Sequence, residues 1–139
     1  MNILTPIRWL FAALPEPVTA LRVIGWWELR RIPYNIIVGG FGAVCLVVFF
    51  ISIEASGHLQ PGEDAVEPMA LCFAPFAVNF CYTAGWLVDA PLRLLLRSLS
   101  PRFTPLLFAA GLGLSLCVVS LPAVYWGGYR LLQLLHILR

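Results

Sequence analysis

Three long runs of apolar residues without a single charge dominate the sequence. They cover residues 34–53, 69–88 and 103–126. At about 1.5 Å of rise per residue, a helix of about 20 residues crosses a hydrocarbon layer roughly 30 Å thick. Lipid offers no water to backbone N–H and C=O groups, so helices are favoured, and barrel strands would be shorter and would alternate in polarity. The pattern therefore predicts an all-α membrane protein with three transmembrane helices.

Shorter segments that mix arginine with leucine and tryptophan flank these runs. Residues 1–33 are predicted to form a cytoplasmic or interfacial amphipathic arm, and residues 91–100 a second interfacial helix between spans two and three. Residues 127–139 are predicted to form an amphipathic helix at the C-terminus. That helix either bends away at Gly127–Gly128 or extends the third span, and the glycine pair together with Pro122 favours the bend.

Two tryptophans and two arginines stand just before the first span. Trp26, Trp27, Arg30 and Arg31 are predicted to be interfacial anchors, because these side chains suit the depth of the lipid headgroups. The alternative is that they contact the spans of the protein itself, or a partner.

Arginine is distributed unevenly around the predicted three-span domain, residues 34–126. Seven arginines lie before the first span or in the loop 89–102: Arg8, Arg22, Arg30, Arg31, Arg93, Arg97 and Arg102. The other side has two arginines, in the C-terminal segment, and its loop 54–68 carries four acidic residues: Glu54, Glu63, Asp64 and Glu67. The positive-inside rule then predicts a multi-pass protein of the inner (plasma) membrane, with the N-terminus cytoplasmic and the C-terminus outside.

The composition agrees with a lipid environment. Hydrophobic residues make up 60% of the chain and charged residues 12%, whereas a soluble domain carries about 25% charged residues. A net charge of +2 is too small to indicate nucleic-acid binding. The four cysteines all lie in apolar runs without zinc-site spacing, so we expect packing residues, no metal site and no cofactor.

The second span carries one stripe of polar residues. At about 100° per residue, Tyr82, Trp86 and Asp89 fall on the same side of the helix as Asn79. An amide in hydrocarbon without a hydrogen-bond partner is unfavourable, so this stripe is predicted to face protein, as a helix contact, or else water in a cavity. Asp89 lies four residues before Arg93 and is predicted to be a paired or hydrated charge at the membrane surface.

Small residues recur at four-residue spacing in the other two spans. Gly39 and Ala43 form such a pair in the first span, and Ala109 and Gly113 in the third. This spacing lets helix backbones approach closely in membranes, so these residues are predicted to pack helices together. The contact is either within one chain or between copies.

No catalytic motif is visible in the sequence, and we expect that the protein is not an enzyme. Glu54 and His58 are spaced for a weak cation site, but a solvated acidic loop is favoured. We predict a non-enzymatic subunit or scaffold of a membrane assembly, whose partners are the bilayer and either itself or another membrane protein. The alternative is a homo-oligomeric pore or membrane-perturbing effector, in which Asn79, Tyr82 and Trp86 line a water path.

Overall fold

The computed structural model describes residues 4–57, 62, 68–96 and 99–135, which form four helices and, in these ranges, no strand. The helices are α1 (Leu4–Leu10), α2 (Ala20–Ser56), α3 (Pro68–Leu95) and α4 (Phe103–Leu134). Three of them, α2, α3 and α4, are long and apolar enough to cross a membrane. The fold is therefore all-helical with three candidate spans, as the charge-free runs predict.

Helix α2 joins two segments that the sequence separates. The amphipathic segment and the first span form one helix from Ala20 to Ser56, with Pro33 inside it. Proline removes a single N–H from the helix ladder, and the side chains buried before and after it, Trp27 and Tyr34, hold both halves against the same core. At 37 residues, α2 is about 55 Å long and exceeds the hydrocarbon thickness.

Helices α3 and α4 also extend beyond the predicted limits. Helix α3 passes through Pro91 and includes the first part of the predicted interfacial helix 91–100. Helix α4 passes through Pro122 and the Gly127–Gly128 pair, so the expected bend does not occur. The backbone of Gly127 lies against α2, where an added Cβ would be 3.8 Å from Ser52 Oγ and from a Val48 methyl, and this packing supports the continuous helix. His58 and His136 lie outside the described residues.

The hydrophobic core cluster lies at one end of the helices. We call this the basic end, where the first part of α2, the last part of α3 and the first part of α4 meet around Arg30, Arg93 and Thr104. The loop after α1 joins it through a hydrogen bond from the Leu14 N–H to the Pro101 carbonyl, 3.3 Å. Toward the opposite end, α2 continues along α4, whereas residues 71–77 of α3 are all exposed.

Candidate functional site

A network of four buried polar side chains ties three helices together at the basic end. Asp89 Oδ2 accepts hydrogen bonds from Trp27 Nε1 at 3.1 Å and from Thr104 Oγ1 at 2.6 Å. Asp89 Oδ1 accepts from Arg93 Nε at 2.9 Å, and Arg93 Nη2 donates to Thr104 Oγ1 at 2.7 Å. Trp27 belongs to α2, Asp89 and Arg93 to α3, and Thr104 to α4. We call these four residues the aspartate network.

The carboxylate at the centre of the aspartate network is fully enclosed. Asp89 has 0% of its surface exposed, and Arg93 has 9%. A charge this deep is tolerated only when it is paired and its remaining lone pairs are hydrogen-bonded. The ion pair with Arg93, four residues later on the same helix, and the bonds from Trp27 and Thr104 meet both conditions.

An aromatic cluster surrounds the aspartate network. Phe108 of α4 is its centre and is almost fully buried. Its ring lies 5.7 Å from Trp26, 5.8 Å from Trp27 and 6.3 Å from both Tyr34 and Tyr82, with the rings tilted steeply to one another. Edge-to-face pairs add about 0.5–1.5 kcal/mol each beyond simple burial. Trp27 belongs to both groups, so the cluster covers the aspartate network where the indole meets Asp89.

Two tyrosines of the cluster use their hydroxyls to join helices. Tyr82 donates to the backbone carbonyl of Trp27, which links α3 to α2. The Tyr34 hydroxyl lies 2.7 Å from Ser115 Oγ, which links α2 to α4. Both rings are thus fixed at their apolar faces and at their polar tips.

Three of the four predicted interfacial anchors are buried in the protein. Trp26, Trp27 and Arg30 are each 3–5% exposed, because their side chains contact the cluster and the segment after α1. The prediction that they face lipid is therefore wrong for these three, and the alternative, contact with the protein's own helices, is what the structure has. Arg31 lies nearer the surface, where it forms a two-pronged ion pair with Glu28 and donates to Thr83 Oγ1.

Arg30 is a buried cation bound by carbonyl groups. Its guanidinium donates to the carbonyls of Trp9 at 2.6 Å, Leu10 at 2.8 Å and Trp26 at 3.0 Å. It also lies over the rings of Trp9 and Trp26, 4.5 and 3.8 Å from the centroids. Carbonyls at the end of a helix have no partner within it and carry partial negative charge. Arg30 therefore caps the end of α1 and fastens it to α2.

The polar stripe of α3 makes its hydrogen bonds inside the chain. The side-chain amides of Asn79 and Asn35 exchange two hydrogen bonds of 3.1 Å, and Asn79 also donates to the Pro75 carbonyl. Tyr82 and Asp89 lie in the buried core described above. The indole Nε1 of Trp86 is buried, and no hydrogen-bond acceptor for it lies among the described residues.

Close helix approaches occur at glycines other than the four predicted small residues. Gly39, Ala43 and Gly113 are exposed and Ala109 is half-buried. An added Cβ at Gly39 or Gly113 would meet no atom within 4 Å. At Gly85 of α3, in contrast, it would lie 2.7 and 2.8 Å from two carbons of the Trp27 indole. The close approach that matters for the core is thus between α2 and α3 at Gly85.

Gly85→Ala is expected to lower the free energy of unfolding by about 1–3 kcal/mol, because the new methyl group would clash with the Trp27 indole, whose hydrogen bond to Asp89 resists displacement. Gly40→Ala is the matched control, because Gly40 lies on an exposed helix face with nothing within 4 Å. There the substitution is expected to leave stability unchanged or to raise it by up to about 1 kcal/mol. Titration of the detergent-solubilised protein with SDS, followed by far-UV circular dichroism, measures both. Equal effects of the two substitutions would contradict the packing of Trp27 on Gly85.

Sequence reasoning missed three residues of the site. Asn35, Thr104 and Phe108 are ordinary members of apolar runs, and their partners lie 44, 15 and up to 97 positions away in the chain. Asn35 alone carried a usable signal, because it is an amide inside the first charge-free run and therefore requires a partner.

Metal binding and cysteine reactivity are the other kinds of chemistry that the sequence raises. No group of three or more His, Cys, Asp or Glu side chains within the described part of the chain is arranged to hold a metal. The four cysteines are free; Cys45 is buried, and Cys72, Cys81 and Cys117 are exposed. The proposed Glu54–His58 pair falls partly outside the described residues. No model of a known protein family matches the chain, and comparisons with curated proteins and with solved structures found no match.

Proposed function

We propose that the protein is a non-enzymatic subunit or scaffold of an assembly in the inner (plasma) membrane. In this arrangement the N-terminus and the α3–α4 connection face the cytoplasm, as seven arginines against two favour. The opposite ends of α2 and α3 and the C-terminus then face outward. The aspartate network and its aromatic cluster act as a fixed clamp that sets the helices at defined positions.

The observation that carries this proposal is an uncovered stretch near the start of α3. Residues 71–77 go almost twice around the helix, and each of them is exposed. The largest are Leu71, Phe73 and Phe76, so the surface is apolar and aromatic. The same helix is locked at its other end by Asp89 and Tyr82. A helix held firmly at one end and free at the other is suited to offer a long side surface to another membrane helix.

The hydrogen bonds of the polar stripe support a scaffold better than a pore. A pore would need Asn79 and Tyr82 to be turned toward water. Asn79 bonds to Asn35 and to the Pro75 carbonyl, and Tyr82 bonds to the Trp27 carbonyl. These polar groups contribute to contact between α2 and α3, and freeing them for a water path would break those bonds.

Extraction in a mild detergent followed by size-exclusion chromatography with light scattering tests the proposal. We expect a protein mass above the 15.4 kDa of one chain, from added copies or from a co-purifying membrane protein identified by mass spectrometry. Phe73→Ala combined with Phe76→Ala is expected to reduce that species. Leu121→Ala, an equally exposed apolar position on α4, is the control and should preserve it. A stable single chain in every mild detergent, with no partner, would overturn the proposal.

A further inference from the structure

A groove of about 510 Å³ lies at the basic end, between the segment before α2 and the last turns of α3. Its walls combine a charged side chain, Arg93, with apolar side chains such as Val18, Leu94 and Leu99. Pockets of this size hold small molecules or the polar part of a larger one. Its lining is therefore amphipathic, with Arg93 and Glu16 as its charged side chains and aliphatic carbon over much of the rest.

Arg93 lines this groove, and two other arginines, Arg22 and Arg102, bond to or adjoin residues of its wall. Arg93 reaches the groove while its Nε and Nη2 atoms bond to Asp89, Thr104 and the Ser100 carbonyl, so its Nη1 takes no part in those bonds. Arg22 is exposed, and its Nη1 donates at 3.0 Å to the carbonyl of Pro17, a residue of the groove wall. That bond holds the Arg22 Nη1 atom beside the groove wall. Arg102 is exposed and directly follows Pro101, another wall residue.

The charge balance favours an anion. The segments 1–33 and 89–102 contain seven arginines against Glu16, Glu28 and Asp89, which leaves a net charge of +4. Asp89 and Glu28 are paired with Arg93 and Arg31, so the excess of positive charge rests on the other five arginines of these segments. Glu16 is the acidic residue of the groove wall that has no ion pair among the described residues, and it opposes an anion there.

The position of the groove points to the source of the anion. It lies where three helices apolar enough to cross a membrane come to their ends, and the ends of such helices are expected near the lipid phosphates. We propose that the groove binds the headgroup of an anionic phospholipid, with its phosphate at Arg22 and Arg93 and its glycerol and upper acyl carbons against Val18, Leu94 and Leu99. Arginine forms two-pronged hydrogen bonds to phosphate, and the aliphatic walls suit the carbon chains that adjoin the phosphate in a lipid.

Lipid binding to the full-length protein in a mild detergent tests this inference. Two lipids with identical acyl chains are compared, dioleoylphosphatidylglycerol and dioleoylphosphatidylcholine. Native mass spectrometry counts the lipid molecules bound to each protein. We expect the anionic lipid to bind at least about tenfold more tightly, which corresponds to one charge-assisted contact. Arg22→Gln should remove about tenfold of that affinity, and Glu16→Gln should increase it. Arg130→Gln at the opposite end is the control and should change neither lipid.

Some contrary outcomes would overturn the proposed groove, and others would identify another ligand. Equal binding of the two lipids, or equal loss in Arg22→Gln and Arg130→Gln, would overturn the proposed groove. Weaker binding in Glu16→Gln would mean that an ammonium group is recognised instead. Inorganic phosphate that competes with the lipid at equal concentration would assign the site to a free anion. Arg102→Gln is the second variant, should Arg22→Gln fail to fold, and we expect it also to weaken binding of the anionic lipid.

Discussion

Asp89→Asn is expected to lower the free energy of unfolding by about 3–5 kcal/mol, because it leaves the buried Arg93 guanidinium without its counter-charge. The Coulomb attraction is lost while the desolvation of the cation stays. Arg93 is held by its bonds to Thr104 and to the Ser100 carbonyl and has no second carboxylate within the described residues. Titration with SDS, followed by far-UV circular dichroism, gives the change.

Glu28→Gln is the matched control for this prediction. It removes the carboxylate that forms an ion pair with Arg31. The Glu28 side chain is 45% exposed and the Arg31 side chain is 29% exposed. Exposed pairs contribute little, so its effect is expected to stay below about 1 kcal/mol. Adding Arg93→Gln to Asp89→Asn removes the unpaired cation and should recover part of the lost stability. If Asp89→Asn behaved like Glu28→Gln, the enclosed ion pair would not be a determinant of the fold.

Arg30→Met is expected to release α1 from the rest of the protein. Methionine keeps most of the apolar length but removes the donors to the Trp9, Leu10 and Trp26 carbonyls and the stacking of a cation on two tryptophan rings. Hydrogen bonds from a charged donor contribute about 1.5–3 kcal/mol net. A loss of about 2–3 kcal/mol makes local opening roughly 30- to 150-fold more frequent.

Trypsin measures this opening at Arg8, an exposed arginine within α1. In the native protein the bonds to Arg30 hold the backbone beyond Arg8 in place, and cleavage after Arg8 should be slow. The Arg30→Met variant should be cut at Arg8 much faster. Arg31→Met is the control, because Arg31 bonds to Glu28 and Thr83 rather than to α1, and its cleavage rate should match the native rate. Equal rates in the two variants would contradict the capping role of Arg30.

The hydrophobic pattern along the sequence predicts the number and approximate position of the long helices, but local helix-breaking residues do not predict where those helices end. Charge-free runs identify the three spans because lipid excludes charge over a fixed thickness. Helix-breaking residues were a poor guide to where the helices end. Pro33, Pro91 and Gly127 all lie inside helices. Buried residues on both sides of each proline, and the packing of Gly127 against α2, outweigh one missing hydrogen bond or one flexible residue.

The candidate site, too, could be predicted from the sequence only in part. The pairing of Asp89 with Arg93 is readable, since four residues on a helix bring two side chains together. The hydrogen bond from Trp27 to Asp89 joins residues 62 positions apart, and no periodic pattern in the sequence predicts it. Tryptophan beside arginine ahead of an apolar run is typical of an interfacial anchor, yet the same amphipathic side chains can face a polar core. Trp26 and Trp27 do the latter, because Phe108 and Tyr82 give their rings an aromatic contact and Ala12 and Asp89 accept their N–H groups.

The contact between Trp27 and Asp89 is the most direct test of the clamp at the basic end, because it joins α2 to α3 within one chain. The test is a double-mutant cycle of Trp27→Phe and Asp89→Leu, with unfolding by SDS followed by circular dichroism. We predict a coupling free energy of at least about 1 kcal/mol between the two substitutions. Effects that add to within about 0.5 kcal/mol would contradict the clamp.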